Sequence, residues 1–271
     1  MTESNPKDTP CSVQPLGTDA NGKHHFENWD YASAVGMLMH LAGNAYPEIQ
    51  FAVHQCARFS HAPRHSHAIA VKRVAHYLKG VLETKQGLTF KATKYPVLDL
   101  YVDADFAGLW TYEDDQDPVC VKSRTGYVIT LGECPIHWCS KLQTEIALST
   151  LEAEYIAMAQ AMRDLVALRR AFVEMLNYFD IADDNDILVK STIFEDNNGC
   201  ISTAKAPKLT SRTKHIAIKY HFVRNFFSPY GVEDHPFVLE KIDTKLQKAD
   251  NFTKGLNADT FTHLRKILCG W

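Results

Sequence analysis

The spacing of apolar residues changes character twice along the chain. Up to about residue 28 it has no period: Pro, Asn, Thr and Lys predominate, and a disordered or loosely attached tail is expected over residues 1–28. From Tyr31 apolar residues recur at intervals of three and four, at Tyr31, Val35, Leu38 and Met39, which predicts a helix. Pro47 suits the start of a second helix, with Ile49, Val53, Cys56 and Phe59 on one face. A third follows Pro63, carries Ile69, Ala70, Val74, Tyr77 and Leu78, and is expected to end at Gly80. Residues 29–95 therefore read as a small helical unit.

From Val97 the pattern shortens to alternation. Strands are predicted at Val97–Val102, Gly126–Leu131 and Ile136–Ser140, with Gly132-Glu133 or Cys134-Pro135 turning the second into the third. A long helix follows from about Thr150, with Tyr155, Met158, Met162, Leu165, Leu168, Phe172, Leu176 and Phe179 as its core stripe. A fourth strand is predicted at Ile187–Phe194, a short helix after Asn197 and another helix from about Thr213 to Phe227. A fifth strand is predicted at Phe237–Ile242, and a last helix from Leu246 with an interruption near Gly255. This order describes a mixed α/β sheet layered with helices over residues 96–271.

Composition narrows the function little. The 29 basic and 32 acidic residues nearly balance, but the charges are segregated. Residues 205–224 hold six Lys or Arg and no acid; residues 64–79 hold four and no acid. Such patches, and not net charge, decide where a polyanion can sit. The seven cysteines form no CxxC pair and read as incidental thiols of a reducing compartment. No apolar signal core or membrane-length segment is present, so a soluble intracellular protein is expected. His61, His65 and His67 are grouped like metal ligands. Pro63 separates the first two, and they read as a loop or helix-start feature.

Candidate chemistry lies in four acids. Asp103 ends the first strand, Glu154 opens the long helix, Asp196 ends the fourth strand and Asp250 lies early in the last helix. Asp is a poor strand former, so its position needs a reason. Singly, each has a plain alternative. Glu154, with Glu152 as rival, suits a helix N-terminus; Asp196 with Asn197, Asn198 and Gly199 suits a turn; Asp250 suits a solvated helix. Together, acids at strand ends and helix starts can face one sheet edge. Their repulsion there calls for cations, and hard oxygen ligands suit Mg²⁺ or Mn²⁺. Two ions about 3.5–4 Å apart form the clamp for in-line phosphoryl displacement. An EF-hand reading of Asp103, Asp105 and Gly108 fails at Ala107 and Asp114, and a strand precedes it.

Several stretches occur in an ordered series: Tyr-Val-Asp-Ala-Asp-Phe-Ala-Gly (101–108), Ser-Arg-Thr-Gly-Tyr-Val (123–128), Ile-Ala-Leu-Ser-Thr-Leu-Glu-Ala-Glu-Tyr-Ile-Ala (146–157) and Glu-Asp-Asn (195–197), then Arg-Thr-Lys-His-Ile (212–216), Tyr-His-Phe-Val-Arg (220–224) and Asp-Thr-Lys-Leu-Gln-Lys-Ala-Asp-Asn-Phe-Thr-Lys-Gly-Leu (243–256). The series resembles the C-terminal part of copia-type long-terminal-repeat retrotransposon polyproteins, whose reverse transcriptase ends in a ribonuclease H domain. Tyr31–Leu41 and Tyr46-Pro47-Glu48-Ile49 resemble the segment joining the polymerase to it. The resemblance covers about Tyr31 to Arg265.

It implies a ribonuclease H-like fold: a mixed five-stranded sheet, its first three strands an antiparallel meander, with helices on both faces. It implies Asp103, Glu154, Asp196 and Asp250 as catalytic ligands of two Mg²⁺ or Mn²⁺ ions. Glu154 is preferred to Glu152 by the residues that follow it, and Asp105 is an outer-shell acid or turn residue. The implied reaction is cleavage of the RNA strand of an RNA–DNA hybrid, with Lys208, Arg212, Lys214 and Lys219 as phosphate contacts. The implied partners are polymerase and integrase parts of a longer polyprotein, in cytoplasm or nucleus. The chain is expected to lack the polymerase palm motif Tyr-X-Asp-Asp and the protease motif Asp-Ser/Thr-Gly. Two other functions compete: a catalytically silent nucleic-acid-binding module attached to a polymerase, and an integrase-type transferase, disfavoured because its Glu comes last in the chain. His215 and His221 lie six apart on a predicted helix and are not expected to act together. The acidic insertion Glu113–Asp117 has no assigned role.

Overall fold

The computed structural model describes residues 5–25, 28–91, 97–110, 117–179, 191–208, 213, 215–229 and 236–271. Three helices come first: α1 (Tyr31–Asn44), α2 (Gln50–Ala57, after a 3₁₀ turn Pro47–Ile49) and α3 (His65–Thr84). The segment read as a loose tail lies along them. Thr9 is buried, and Cys11 and Leu16 pack on the cluster formed by Val35, Ile49, Val53 and Val74. Gly80 does not end α3, which runs on to a left-handed cap at Lys85 (φ 54°). The missing side chain at Gly80 instead makes room for that segment, since a Cβ there would stand 3.0 Å from Pro6. His67 is the helix-start feature expected: Nδ1 accepts from the Arg64 amide at 2.9 Å, and Nε2 lies 2.9 Å from the Gly17 carbonyl.

The sheet has five strands: β1 (Leu98–Asp105), β2 (Arg124–Leu131), β3 (Cys134–Leu142), β4 (Ser191–Glu195) and β5 (Phe237–Lys241). Their order is β3-β2-β1-β4-β5. β1, β2 and β3 form the antiparallel meander, while β4 runs parallel to both β1 and β5. This is the mixed sheet of the expected ribonuclease H-like fold. Gly132-Glu133 makes the β2–β3 turn, with Gly132 at φ 59°. β3 begins two residues before its predicted start and takes in Pro135. It is an edge strand, where a missing N–H costs little, and the register shifts beside it at Ile129/Thr130. Residues 187–190 of the predicted fourth strand lie outside the described residues.

The long helix α4 (Thr150–Tyr178) covers one face of the sheet. Tyr155, Met158, Met162 and Leu165 are fully buried with Leu98, Leu100, Val102 and Ile193. Each such aliphatic or Met side chain contributes about 1.5–3 kcal/mol by leaving water. The stripe weakens beyond Leu165, and Phe179 is exposed. Helix α5 (Asn198–Lys205) follows β4. The helix expected from Thr213 is a 3₁₀ segment, Ile218–Val223, and a short α6 (Arg224–Phe227), because Ala217 is extended at ψ 134°. The last helix is in pieces: a 3₁₀ turn (Thr244–Leu246), α7 (Asp250–Thr253) and α8 (Ala258–Cys269). Phe252, Leu268 and Cys269 cover Val128 on the sheet's other face. All seven cysteines are free thiols.

The contacts that join the helical unit to the sheet layer include two polar ones. The Trp138 indole donates to the Ala42 carbonyl at 2.7 Å. In addition, Glu48, 2% exposed, lies 3.4 Å from Arg265 Nε of α8 and accepts from the Tyr77 hydroxyl at 3.3 Å. The Arg265 guanidinium stacks over Tyr77 and Trp271 and donates to Gln86. Burial raises the Glu48 carboxyl against the pull of Arg265. Removing one member of a buried pair strands the other, which costs about 3–5 kcal/mol. Arg265→Met is therefore expected to lower the unfolding free energy by about that amount, and Arg265→Met with Glu48→Gln to recover part of it, as measured by denaturant titration.

A second prediction concerns acid stability. His54 accepts from the Gln50 amide at 3.2 Å, and burial, followed by the charge of Arg124, pushes its imidazole down to about 4. The unfolded chain binds the proton near pH 6.5, above the folded value. The stability held by neutral His54 is thus complete above that pH and lost as pH falls from about 6.5 towards 4. His54→Gln is expected to lose less stability than the parent between pH 7 and 5 in urea titrations; parallel losses would remove His54 as the cause.

Candidate metal centre

The site forms where the C-terminal ends of β1 and β4 meet the start of α4 and α7. Asp103 pairs in register with Gly126 of β2. Gly126 has to be bare: a Cβ there would lie 2.5 Å from Thr253 Cγ2 and 2.9 Å from Phe252 Cβ. That absence lets α7 settle on the sheet, and the Thr253 hydroxyl donates to Asp103 Oδ2. Ser149 caps α4 by accepting from the Glu152 amide at 3.2 Å. The Glu152 carboxylate turns back to the Leu148 amide at 2.8 Å and lies 3.1 Å from His215 Nε2. Glu152 is thereby committed to the helix start, and Glu154, two residues on, faces the other acids. Asp196 follows β4 and accepts from the Thr244 hydroxyl at 2.7 Å. Gln247, fully buried, donates to the Val102 carbonyl at 2.9 Å and reaches the Phe194 carbonyl at 3.5 Å, tying β1 to β4 beside their acids.

Asp103, Glu154 and Asp196 each offer one carboxylate oxygen, and the three oxygens lie within 4.8 Å of one another. Asp103 and Glu154 are buried; Asp196 is half-buried. Burial and then the charges of Asp103, Glu195 and Asp196 raise the Glu154 carboxyl far above its usual range. Glu154 Oε2 is buried with no hydrogen-bond partner among the described residues. A hard acceptor left without a donor, next to two further carboxylates, fits a divalent cation. The three acids suffice for one ion.

Asp250 stands apart from this group. Its Oδ1 is 2.9 Å from Lys254 Nζ, which also lies 3.9 Å from Asp103 Oδ2. Asp105 is likewise outside: burial and the nearby Asp103 push its carboxyl up to about 6. Its carboxylate folds over Gly108, where a Cβ would fall 1.7 Å from Oδ2. Glu195 is wholly buried and raised by burial, Asp103 and Asp196, with the Asn197 amide opposing. Of the expected phosphate contacts, Lys208 is exposed and Lys219 pairs with Glu145; Arg212 and Lys214 lie outside the described residues. His215 and His221 do diverge, the first to Glu152 and the second to the Tyr155 hydroxyl at 3.1 Å.

Sequence reasoning missed Gln247, Thr253 and Lys254. Only Lys254 had a readable signal, the i,i+4 spacing from Asp250. One expectation needs correction. The tetrapeptide Tyr112-Glu113-Asp114-Asp115 does match Tyr-X-Asp-Asp. It falls in the acidic insertion between β1 and β2 of the ribonuclease H-like sheet, which is not a polymerase palm, and its residues lie outside the described ones.

No protein-family model matches the chain. The chain is 32% identical over 274 residues to the retrovirus-related Pol polyprotein from transposon TNT 1-94 of Nicotiana tabacum, covering 99% of this chain and 19% of that protein. It is 31% identical over 261 residues to the Pol polyprotein from transposon RE1 of Arabidopsis thaliana, covering 96% of this chain and 16% of that one. It thus spans less than a fifth of the length of these curated relatives. Among solved structures, LC11-RNase H1 isolated from compost is 15% identical with a TM-score of 0.38, over 58% of this chain and 93% of that one. The strand order and directions, with a likeness to the transposon proteins that runs along nearly all of this chain, place the chain. It belongs to the copia-type retrotransposon Pol family, of which it spans a stretch that carries a ribonuclease H-like domain.

Proposed function

We propose that the chain is a metal-dependent endoribonuclease that cuts the RNA strand of RNA–DNA hybrids. The observation that carries this is the three-acid cluster of Asp103, Glu154 and Asp196, with the unpartnered oxygen of Glu154 inside it. Those three would hold Mg²⁺ or Mn²⁺, and Asp250 on the rim is the proposed ligand toward a second ion. When bound, such ions activate water and neutralise charge on the phosphoryl oxygens.

The remaining work belongs to the chain. Thr253 and Thr244 fix the Asp103 and Asp196 carboxylates, and Gln247 fixes the strand ends that bear them. Exposed Lys208, together with Arg212, Lys214 and Lys219, is the proposed phosphate track; Lys219 would exchange Glu145 for a phosphate. Polymerase and integrase segments are the proposed partners, and cytoplasm or nucleus the proposed place of action. Among the described residues no helix is long and apolar enough to cross a membrane.

The purified chain is expected to cut a labelled RNA–DNA hybrid with Mg²⁺ and not with EDTA. Loss of outer partners of a metal costs about 10–100-fold, so Asp103→Asn, Glu154→Gln or Asp196→Asn is expected to cost at least about a hundredfold. Cleavage in EDTA, or an Asp103→Asn enzyme as fast as the parent, would overturn the reading. In a separate measurement, replacing both Lys208 and Lys219 by Ala is expected to weaken hybrid binding and to flatten its salt dependence by a slope of about one to two. An unchanged salt slope would remove both lysines from the phosphate track.

A further inference from the structure

The ammonium of Lys254 stands between two aspartates that face each other across the rim of the site. It lies 2.9 Å from Asp250 Oδ1 and 3.9 Å from Asp103 Oδ2. The two aspartate side chains are 6% exposed and the lysine 40%. The carboxylates are therefore fixed in the protein, while the cation between them has a path to solvent. Asp250 is also the one expected ligand that does not join the three-acid cluster. Asp103 belongs to both groups, and the oxygen that Lys254 approaches is the one that accepts the Thr253 hydroxyl.

We propose that Lys254 is a tethered counter-ion of this centre, which a second divalent ion would have to displace in order to be held by Asp103 and Asp250. The inference rests on the reading of the acids as a metal centre. An ammonium carries one charge on a flexible stem and donates hydrogen bonds, but it cannot act as a Lewis acid towards water. It therefore neutralises the Asp103–Asp250 pair without supplying what an ion supplies. Lys254 lies within ion-pair distance of Asp250 and Asp103, and among the described residues no ion pair ties it to Glu154 or Asp196, so an ion in the three-acid cluster has less of the lysine's charge to overcome. An ion at the other pair must break an ion pair held by two buried carboxylates, so its binding is weakened. Lys254 thus sets the concentration at which the centre passes from one bound ion to two.

The test is Mn²⁺ binding to the full chain, followed by the electron paramagnetic resonance of free Mn²⁺, beside hybrid cleavage by the same samples. The parent is expected to bind one ion tightly and a second at least about tenfold more weakly. Lys254→Met, uncharged and of similar length, is expected to tighten the second step about tenfold or more and to shift the first by much less. Lys254→Arg keeps the charge and is expected to keep the weak second step, and Lys254→Gln repeats the neutral change if Lys254→Met does not show the parent's circular dichroism. A second step unchanged in the neutral variants, a second step tightened equally by Arg, or two equally tight steps in the parent would overturn the inference. If those results come with metal-dependent cleavage by the parent, the proposed nuclease stands and only the role of Lys254 falls. A parent that binds no Mn²⁺ and cuts no hybrid would sink both.

Discussion

Repulsion between Asp103, Glu154 and Asp196 is the constraint around which this fold is arranged. Carboxylate oxygens within 4.8 Å of one another, two of the groups buried, are costly in the absence of positive charge. They stay together because each comes from a different rigid element whose own position is fixed by packing. Asp103 rides on the central strand and Glu154 on a helix with a fully buried apolar face. Asp196 is held at the end of β4 by the Thr244 hydroxyl. The energy that holds the charges close is the energy of the core, so the scaffold stores an affinity for cations that the acids alone would not have.

The same chain solves the problem of a buried acid a second way. Glu48 is as deeply buried as the site acids, but Arg265 lies beside it and Tyr77 donates to it. That pair is closed by the protein's own cation and serves to dock α8 on the helical unit. In the cluster of three, Lys254 approaches Asp103 alone, at 3.9 Å, and no cation of the described residues is paired with Glu154 or Asp196. Asp250 lies between these two cases, neutralised by Lys254, whose side chain is 40% exposed and able to leave. The degree to which a carboxylate's counter-charge is built in separates the structural acids from those suited to an exchangeable ion.

The fold was legible where period and punctuation carried it. Alternation marked β1, β2 and β5, and the 3.6-residue stripe marked α4 as far as Leu165. The sequence allows the β2–β3 turn at Gly132-Glu133 or at Cys134-Pro135, and the structure places it at the first, with Gly132 at φ 59°. Local signals failed where the decisive contact is remote. Gly80 reads as a helix stop, yet it is a gap for Pro6, some seventy positions away in the chain. Pro135 reads as a break, yet it is harmless on a strand that proved to be an edge. The 3₁₀ segment Ile218–Val223 carries the same apolar residues as an α-helix would, and period alone does not tell the two apart. At the site, the four acids were readable as oddly placed charges. Gln247 and Thr253 were not, because a Gln or a Thr is remarkable only once strand ends or an aspartate are known to lie opposite.

The glycine at Gly126 shows why the helical unit and the metal centre belong to one mechanical system. α7 can reach Asp103 only because Gly126 leaves the sheet surface open there, and its four residues supply Asp250 and the Thr253 hydroxyl. A helix that short has little stability of its own. It is held by Phe252 against Val128 and by its continuation into α8, which is in turn pinned by Arg265 to Glu48 and by Phe261 to the core of the helical unit. The rim of the site, Asp250 and Lys254 included, is thus positioned through the N-terminal helices. The three-acid cluster, by contrast, is built from β1, β4 and α4 within the sheet layer. Strain or loosening in the helical unit will reach the Asp103–Asp250 side of the centre first and leave the Asp103–Glu154–Asp196 side nearly as it was.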